Sequence, residues 1–533
     1  MRTNERVGHG VAASALLALA VAVHALLLWR VAAHQVDLDH DSTISYLAAT
    51  GHQAAWERLP ADQWTTAAAV QRLFRVDEAW PLRRIQHDLA RTDLHPPLYF
   101  WLLHAQLLAT GPTPWSALVL NGLLGVLTVF AVYSIGRRLW DAECGAGAAL
   151  LWAASYGAMM TASEARPYAL SALLATVLIR LALEAQDRGL PPARGVALAV
   201  VIMLGLLTHY QFALVIVAAL AGLLLAGAPR GAWRSLVLPL LLGVAGFVLV
   251  HPEFAMSLAR QRAQTEPFTL SDLQPRLEAF AFGLEGLARP ARTQRDFLWI
   301  GGALIAWSAL RALRHGAAER VRGAWGRLRA STPGVRRVAW SAVAFAAMSA
   351  ALYLGHVSPA HAAGARYNAV LWPLLALLAA GAVRDLSRDR ATLPLLAIAV
   401  GVLSYAVAIE VDASQLRLVR SPAWQALTAA RALVADHTQR GLLPRSVLHV
   451  APGTPLWIVR APADTVALPA AWAARGVPVT FLLQDGPGDP RVRRMLERAS
   501  AAGDSVASAG AGPAGTEVVT WAPRRAMATG TAR

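Results

Sequence analysis

Three carboxylates, Asp37, Asp39 and Asp41, follow the first apolar run of the chain in the stretch VDLDHDSTISYLAATGHQ, with His40 between the last two. Further along lie Asp93 and His95 in DLHPPLYFW, Glu164 and Arg166 in SEARPYAL, His209 and Tyr210 in THYQF, and Arg366 and Tyr367 in GARYNAVLWP. Acids, arginines and imidazoles in this combination suit group transfer from a phosphate. A guanidinium binds phosphate oxygens through bidentate, charge-assisted hydrogen bonds. A carboxylate within hydrogen-bond reach takes the proton of an acceptor hydroxyl or amine. The leaving group is already a stable phosphate anion, so that side needs no strong acid.

The elements that must position these residues are membrane helices. The 533 residues are 56% hydrophobic, and the mean hydropathy is +0.42. Apolar runs recur near the ~20 residues that cross a bilayer. Eleven spans follow, at 10–33, 115–136, 145–161, 167–186, 195–209, 211–228, 235–251, 297–313, 338–356, 368–384 and 392–410. The first span is read as retained rather than cleaved, because it is longer than a signal-peptide core and Arg30 interrupts the cleavage zone. The expected fold is therefore a polytopic α-helical membrane domain over 1–410. A first outer loop over 34–114 carries interfacial helices, HPPLYFWLLHAQLLATG among them, and a second covers 252–296. Beyond Val411, SPAWQALTAARALVADHTQRG reads as a helix. SVLHVAP and VPVTFLLQ read as short buried strands, DPRVRRMLERASAAG as a helix and TEVVTW as a last strand. That alternation predicts a small α/β domain over 411–524, with a disordered tail at 525–533.

The net charge is +16 and all the basic residues are Arg. They punctuate apolar spans and form no single patch, so nucleic acid is not an expected partner. Their bias sets the orientation. Arg2, Arg6, Arg137, Arg138, Arg188, Arg194 and the dense run from Arg311 to Arg337 lie in inner loops if the N-terminus is cytoplasmic. Eleven spans then put the C-terminal domain outside. Cys144 is the only cysteine, which excludes an intrachain disulfide and a cysteine-based metal site.

With that topology, every group named above falls at the outer face. Each alone fits a structural role. Arg166 can snorkel to headgroups or pair with Glu164, an aspartate can cap a helix, and the Pro pair after His95 can start one. Together, ionisable groups at one membrane depth indicate a cleft open to the outer leaflet.

The ordered set HDSTISYLAATGHQ, DLHPPLYFWLLH, ALVLNGLLGVLTVFAVYSIGRRL, SEARPYALSALL, THYQFALVIV and RYNAVLWPLLALLAA resembles bacterial glycosyltransferase family 39, which is related to the protein O-mannosyltransferases and the lipid A aminoarabinose transferase. The resemblance covers spans one to ten. It implies a GT-C fold, a polyprenyl-phosphate-linked sugar as donor, and inverting transfer on the outer face. The family's Asp-Glu pair falls on Asp41, the implied base, and Ser42. The Ser departs from the pattern and leaves three readings open: altered acceptor binding, a base moved to Asp39 or Asp93, or a degenerate member. Arg166 matches the Arg expected near the donor phosphate, and Arg366 a later Arg-Tyr pair. His40, His95, Glu164, His209, Tyr210 and Tyr367 would shape the site. No metal site is assigned; some relatives bind a metal near the first outer loop, where His40, Asp41 and His95 could hold a divalent ion, but their spacing alone does not show it. The implied partners are the lipid-linked donor, membrane lipids, and a glycan, lipid or protein acceptor. The implied location is the bacterial inner membrane. A lipid or glycan transporter is the alternative class. Transporters place polar groups near the midplane on broken helices, whereas here they sit at span ends.

Overall fold

Ala and Leu dominate the apolar runs, and both lose little side-chain freedom in a helix. The computed structural model describes residues 2–59, 63–93, 95–263, 292–314, 331–356, 368–387, 391–436, 442–459, 477–483, 490–513 and 516–524. Its helices are α1 (Arg2–Ala32), α2 (His40–Ala49), α3 (Gln53–Glu57), α4 (Ala67–Gln71), α5 (Leu82–Thr92), α6 (Leu98–Thr110), α7 (Pro114–Leu139), α8 (Ala142–Ala153), α9 (Tyr156–Ser163), α10 (Tyr168–Arg188) and α11 (Pro192–Thr208). They continue with α12 (Phe212–Leu225), α13 (Arg230–Val250), α14 (Phe254–Ala263), α15 (Arg292–Arg314), α16 (Pro333–His356), α17 (Leu371–Leu386), α18 (Thr392–Arg420), α19 (Pro422–Thr428), α20 (Leu442–Val447) and α21 (Pro490–Ala502). The strands are β1 (Trp64–Thr66), β2 (Leu433–Asp436), β3 (Pro455–Val459), β4 (Val479–Leu483), β5 (Ser505–Ala511) and β6 (Glu517–Ala522). The chain divides into two units. One comprises Met1–Ala33, Leu89–Leu102 and Ala117–Val411, and the other His34–Asp88, Leu103–Ser116 and Asp412–Arg533.

The first unit is helical. Among the described residues six helices are long and apolar enough to cross a membrane, including Val11–Ala32, Pro114–Leu139 and Thr392–Arg420. Shorter apolar helices include Pro192–Thr208 and Phe212–Leu225. The expected spans fall on helices, with one break. The run at 145–161 forms two helices, because Ser155 accepts a hydrogen bond from the Ala158 N–H at 3.1 Å and starts α9. The freed Ala154 carbonyl accepts the Ser404 hydroxyl at 2.7 Å. Leu224, Leu238 and Leu249 are 67%, 62% and 81% exposed. Such a surface suits acyl chains, which are as apolar as leucine.

The helices approach closely where glycines allow it. A Cβ on Gly145 would lie 2.6 Å from the Arg137 amide nitrogen and 2.7 Å from the Tyr133 carbonyl oxygen, both main-chain atoms of α7. Backbone cannot swing aside as a side chain can. Gly145→Ala is therefore expected to destabilise the protein by about 1–3 kcal/mol. Thermal unfolding in detergent checks it, and an unchanged midpoint would show that α8 is free to shift.

The second unit is built on one six-stranded sheet in the order β1-β3-β2-β4-β6-β5. The central β3-β2-β4 pairings are parallel, and the β1, β6 and β5 pairings antiparallel. Val434, Phe481, Met495, Val519 and Trp521 form its core. β4 is buried along its whole length, as expected of an unbroken apolar strand. β1 comes from the first loop and pairs through Trp64 with Trp457. The sheet therefore includes chain from both ends of the sequence.

Two expectations are corrected here. SVLHVAP is not a strand: it begins in the last turn of α20 and continues as a turn. A short apolar run carries no period that separates the two states, and the carbonyls of Val447 and Val450 are taken by the Gln71 side chain at 3.0 and 2.7 Å. The predicted long helix after Ser421 ends at Thr428, and Leu433–Asp436 within it form β2. There Val434 and Ala435 pair with β3 and β4 on either side, so sheet pairing overrides helical propensity.

Candidate active site

The three aspartates of the first loop have three different environments, all within the second unit. Asp37 is buried, and its carboxylate accepts from Arg445 Nε at 2.5 Å and is paired with His449 Nε2 at 3.0 Å. Asp39 is the N-cap of α2. Its Oδ1 accepts the Ser42 N–H at 2.8 Å and its Oδ2 accepts the Ser42 hydroxyl at 2.6 Å. Both oxygens serve the helix start, which is the usual work of an Asp at that place. Ser42, where the family pattern has Glu, is thereby a capping partner. Asp41 stands in the first turn of α2, half-buried, after His40. Negative charge there is favoured by the helix dipole.

The first unit gathers a second set at the ends of its helices. Asp93 Oδ1 pairs with His95 Nδ1 at 2.7 Å. Because the carboxylate accepts, the ring carries its proton on Nδ1 and presents Nε2. His95 stands edge-on to His209, with ring centroids 5.5 Å apart. His209 follows α11 in extended backbone, where its Nδ1 accepts the Gln211 N–H at 3.1 Å. That bond leaves the His209 proton on Nε2, in a neutral ring. The Tyr168 ring lies 6.0 Å from His209. Arg166, 7% exposed, occupies the bend between α9 and α10 and acts electrostatically on His209 together with His95. The Glu164 carbonyl accepts from Arg166 N–H at 2.8 Å and from Asn121 Nδ2 at 2.5 Å, which fixes the bend. Tyr210 Oη bonds His251 Nε2 at 2.8 Å. Burial pushes the Tyr210 phenol up to about 12, so it keeps its proton at neutral pH.

A small hollow of about 10 Å³ lies beside this set, lined by Tyr168, Ser171, His209, Phe212, Phe345 and Val370 among others. Its walls are mostly apolar. Arg366 and Tyr367 lie outside the described residues, as do most of the second loop and the tail. Among the described residues no cluster of three or more His, Cys, Asp or Glu side chains is arranged to hold a metal ion.

Residues 94–255 match the family model described as dolichyl-phosphate-mannose-protein mannosyltransferase. The structure aligns with that of ArnT from Cupriavidus metallidurans bound to undecaprenyl phosphate, at TM-score 0.56 and 14% identity, over 95% of this chain and 97% of that one. The apo form of the same protein aligns at TM-score 0.55 and 16% identity, over 96% and 98%. The chain has the GT-C fold. A weaker likeness, TM-score 0.45 at 14% identity over 90% of this chain and 70% of the other, is to AglB from Archaeoglobus fulgidus in complex with an inhibitory peptide and a dolichol-phosphate. No curated protein matches the sequence.

Within the GT-C fold, the segment matched by the family model carries His95, Arg166, His209 and Tyr210. It also carries two residues that sequence reasoning did not single out. Tyr168 sits two positions after Arg166, and His251 ends α13. A histidine directly before a proline at the close of an apolar run was the available signal for His251. Asp93→Asn is expected to lower kcat/KM by up to about a hundredfold, because it frees the His95 ring from its fixed tautomer and orientation. Steady-state kinetics check this, and unchanged kcat/KM would reduce the pair to a structural one.

Proposed function

We propose that this GT-C protein is a membrane glycosyltransferase that moves a sugar from a polyprenyl-phosphate donor to an acceptor on the extracytoplasmic face, with inversion. The observation that carries the reading is the buried Arg166 guanidinium, which acts electrostatically on neutral His209. A guanidinium fork matches a phosphate. The likeness to ArnT along the whole of both chains, in a structure with undecaprenyl phosphate bound, supports a donor of that class.

Asp41 is the base in this reading. It takes the proton of the acceptor O–H or N–H as that atom attacks the anomeric carbon. The bond from that carbon to the phosphate oxygen breaks, and the electron pair leaves on polyprenyl phosphate. Arg166 holds the departing phosphate, with Arg366 as a second cation. Because Asp39 is engaged by Ser42 through both oxygens, Asp41 is preferred to it. Asp93, bonded to His95, is a positioning group. A single displacement inverts the anomeric centre. The Arg bias of the sequence supports a bacterial inner-membrane location with a cytoplasmic N-terminus.

Incubating the reconstituted protein with sugar-labelled polyprenyl phosphates and a membrane extract tests the reading. One donor is expected to label an acceptor, with the product anomer opposite to the donor's by NMR. Retention would exclude the in-line single displacement.

A further inference from the structure

We infer that Asp37 is a positioning residue, locked to Arg445 and His449 so that the C-terminal chain fixes the start of α2. The inference rests on the proposed role of Asp41 as base and deepens it.

Asp37 is four residues from Asp41 and two from the Asp39 cap. Its side chain is fully buried, and its partners are nearly so, with Arg445 12% and His449 17% exposed. A buried carboxylate is tolerated when its charge is matched and its lone pairs are engaged. Here one oxygen accepts a guanidinium N–H and the other faces an imidazole nitrogen. Both partners lie on one short segment, Arg445 on α20 and His449 just past it. Trp424 packs against the His449 ring at 4.5 Å. The same segment is held from its other side. Gln71 Nε2 donates to the Val447 and Val450 carbonyls. The Ala67 and Ala68 amides donate to Thr454 and Pro452. His34, at the start of the loop, is bonded to buried Asp412 at 2.7 Å. Residues 445–454 thus form a rigid base, and the one ionic tie from it to the entry of α2 is Asp37 among the described residues. Arg and His are suited to it, since a guanidinium fork and a flat ring define direction as well as charge.

The test uses the full chain in lipid nanodiscs, with Asp37→Asn and Arg445→Ala compared with wild type on the donor that wild type turns over. The expected result is a fall in kcat of about tenfold to a hundredfold, with the donor KM unchanged. Amide exchange is expected to rise in 40–49 and stay unchanged in β4 and α8. Methylguanidinium in solution is expected to restore part of the Arg445→Ala activity. A folded Asp37→Asn with wild-type kcat would overturn the inference, as would lost kcat without faster exchange in α2. Should Asp37→Asn not fold, Arg445→Lys decides: it keeps the charge and loses the fork, and full kcat in it would overturn the lock. Exchange is independent of turnover. An inactive wild type would therefore sink the glycosyltransferase reading, while exchange in α2 still supports or refutes the lock.

Discussion

Asp41→Asn is expected to lower release of polyprenyl phosphate by about a hundredfold or more, with little change in donor KM. A positioned general base contributes about 10²- to 10⁴-fold, and an amide at the same place cannot take the acceptor's proton. The replacement is nearly isosteric and lies in the first turn of α2, whose start is held by Asp39 and Ser42. Folding should therefore survive. Asp39→Asn sets the contrast. It keeps a side chain that caps a helix about as well, so little change in stability and no comparable loss of kcat are expected. Equal activity in wild type and Asp41→Asn would take the base away from this residue. An Asp39→Asn loss as deep as that expected of Asp41→Asn would assign it to the cap residue instead.

Arg166→Ala is expected to lower kcat/KM for the lipid-linked donor by about a hundredfold. A hydrogen bond to a charged group contributes up to ~3 kcal/mol, and every 1.36 kcal/mol is tenfold in rate. Arg166 is buried, so little water screens its pairing with a phosphate. Arg166→Lys keeps the charge and loses the planar fork, so an intermediate loss is expected. If the alanine variant is folded and keeps its kcat/KM, the donor phosphate is held elsewhere, and Arg366 becomes the next residue to replace.

The sequence made the helices legible because long apolar runs separated by Arg and Pro leave few alternatives in a bilayer. Charges out of place were equally legible: Arg166 and His209 stand out because an apolar chain has no ordinary use for them at a helix end. What stayed hidden was non-local. Nothing in WTT, at Trp64–Thr66, announces that it pairs with PLWIV almost four hundred residues later. The break at Ser155 depends on a hydroxyl from Ser404 that satisfies the Ala154 carbonyl. Residues 446–450 looked like a strand because Val and Leu serve either state when the run is short. The three aspartates looked alike in sequence. Their division into a lock, a cap and a first-turn acid comes from Arg445, His449 and Ser42, and only Ser42 is nearby in sequence.

The most direct test of donor cleavage uses the wild-type protein in sealed vesicles with a polyprenyl-phosphate sugar carrying separate labels on sugar and lipid. The expected result is free polyprenyl phosphate released in equal amount to sugar appearing on an acceptor, with release lost in Asp41→Asn. Donor that crosses the vesicle membrane with both labels still joined, and no free polyprenyl phosphate, would contradict glycosyl transfer and identify a transporter.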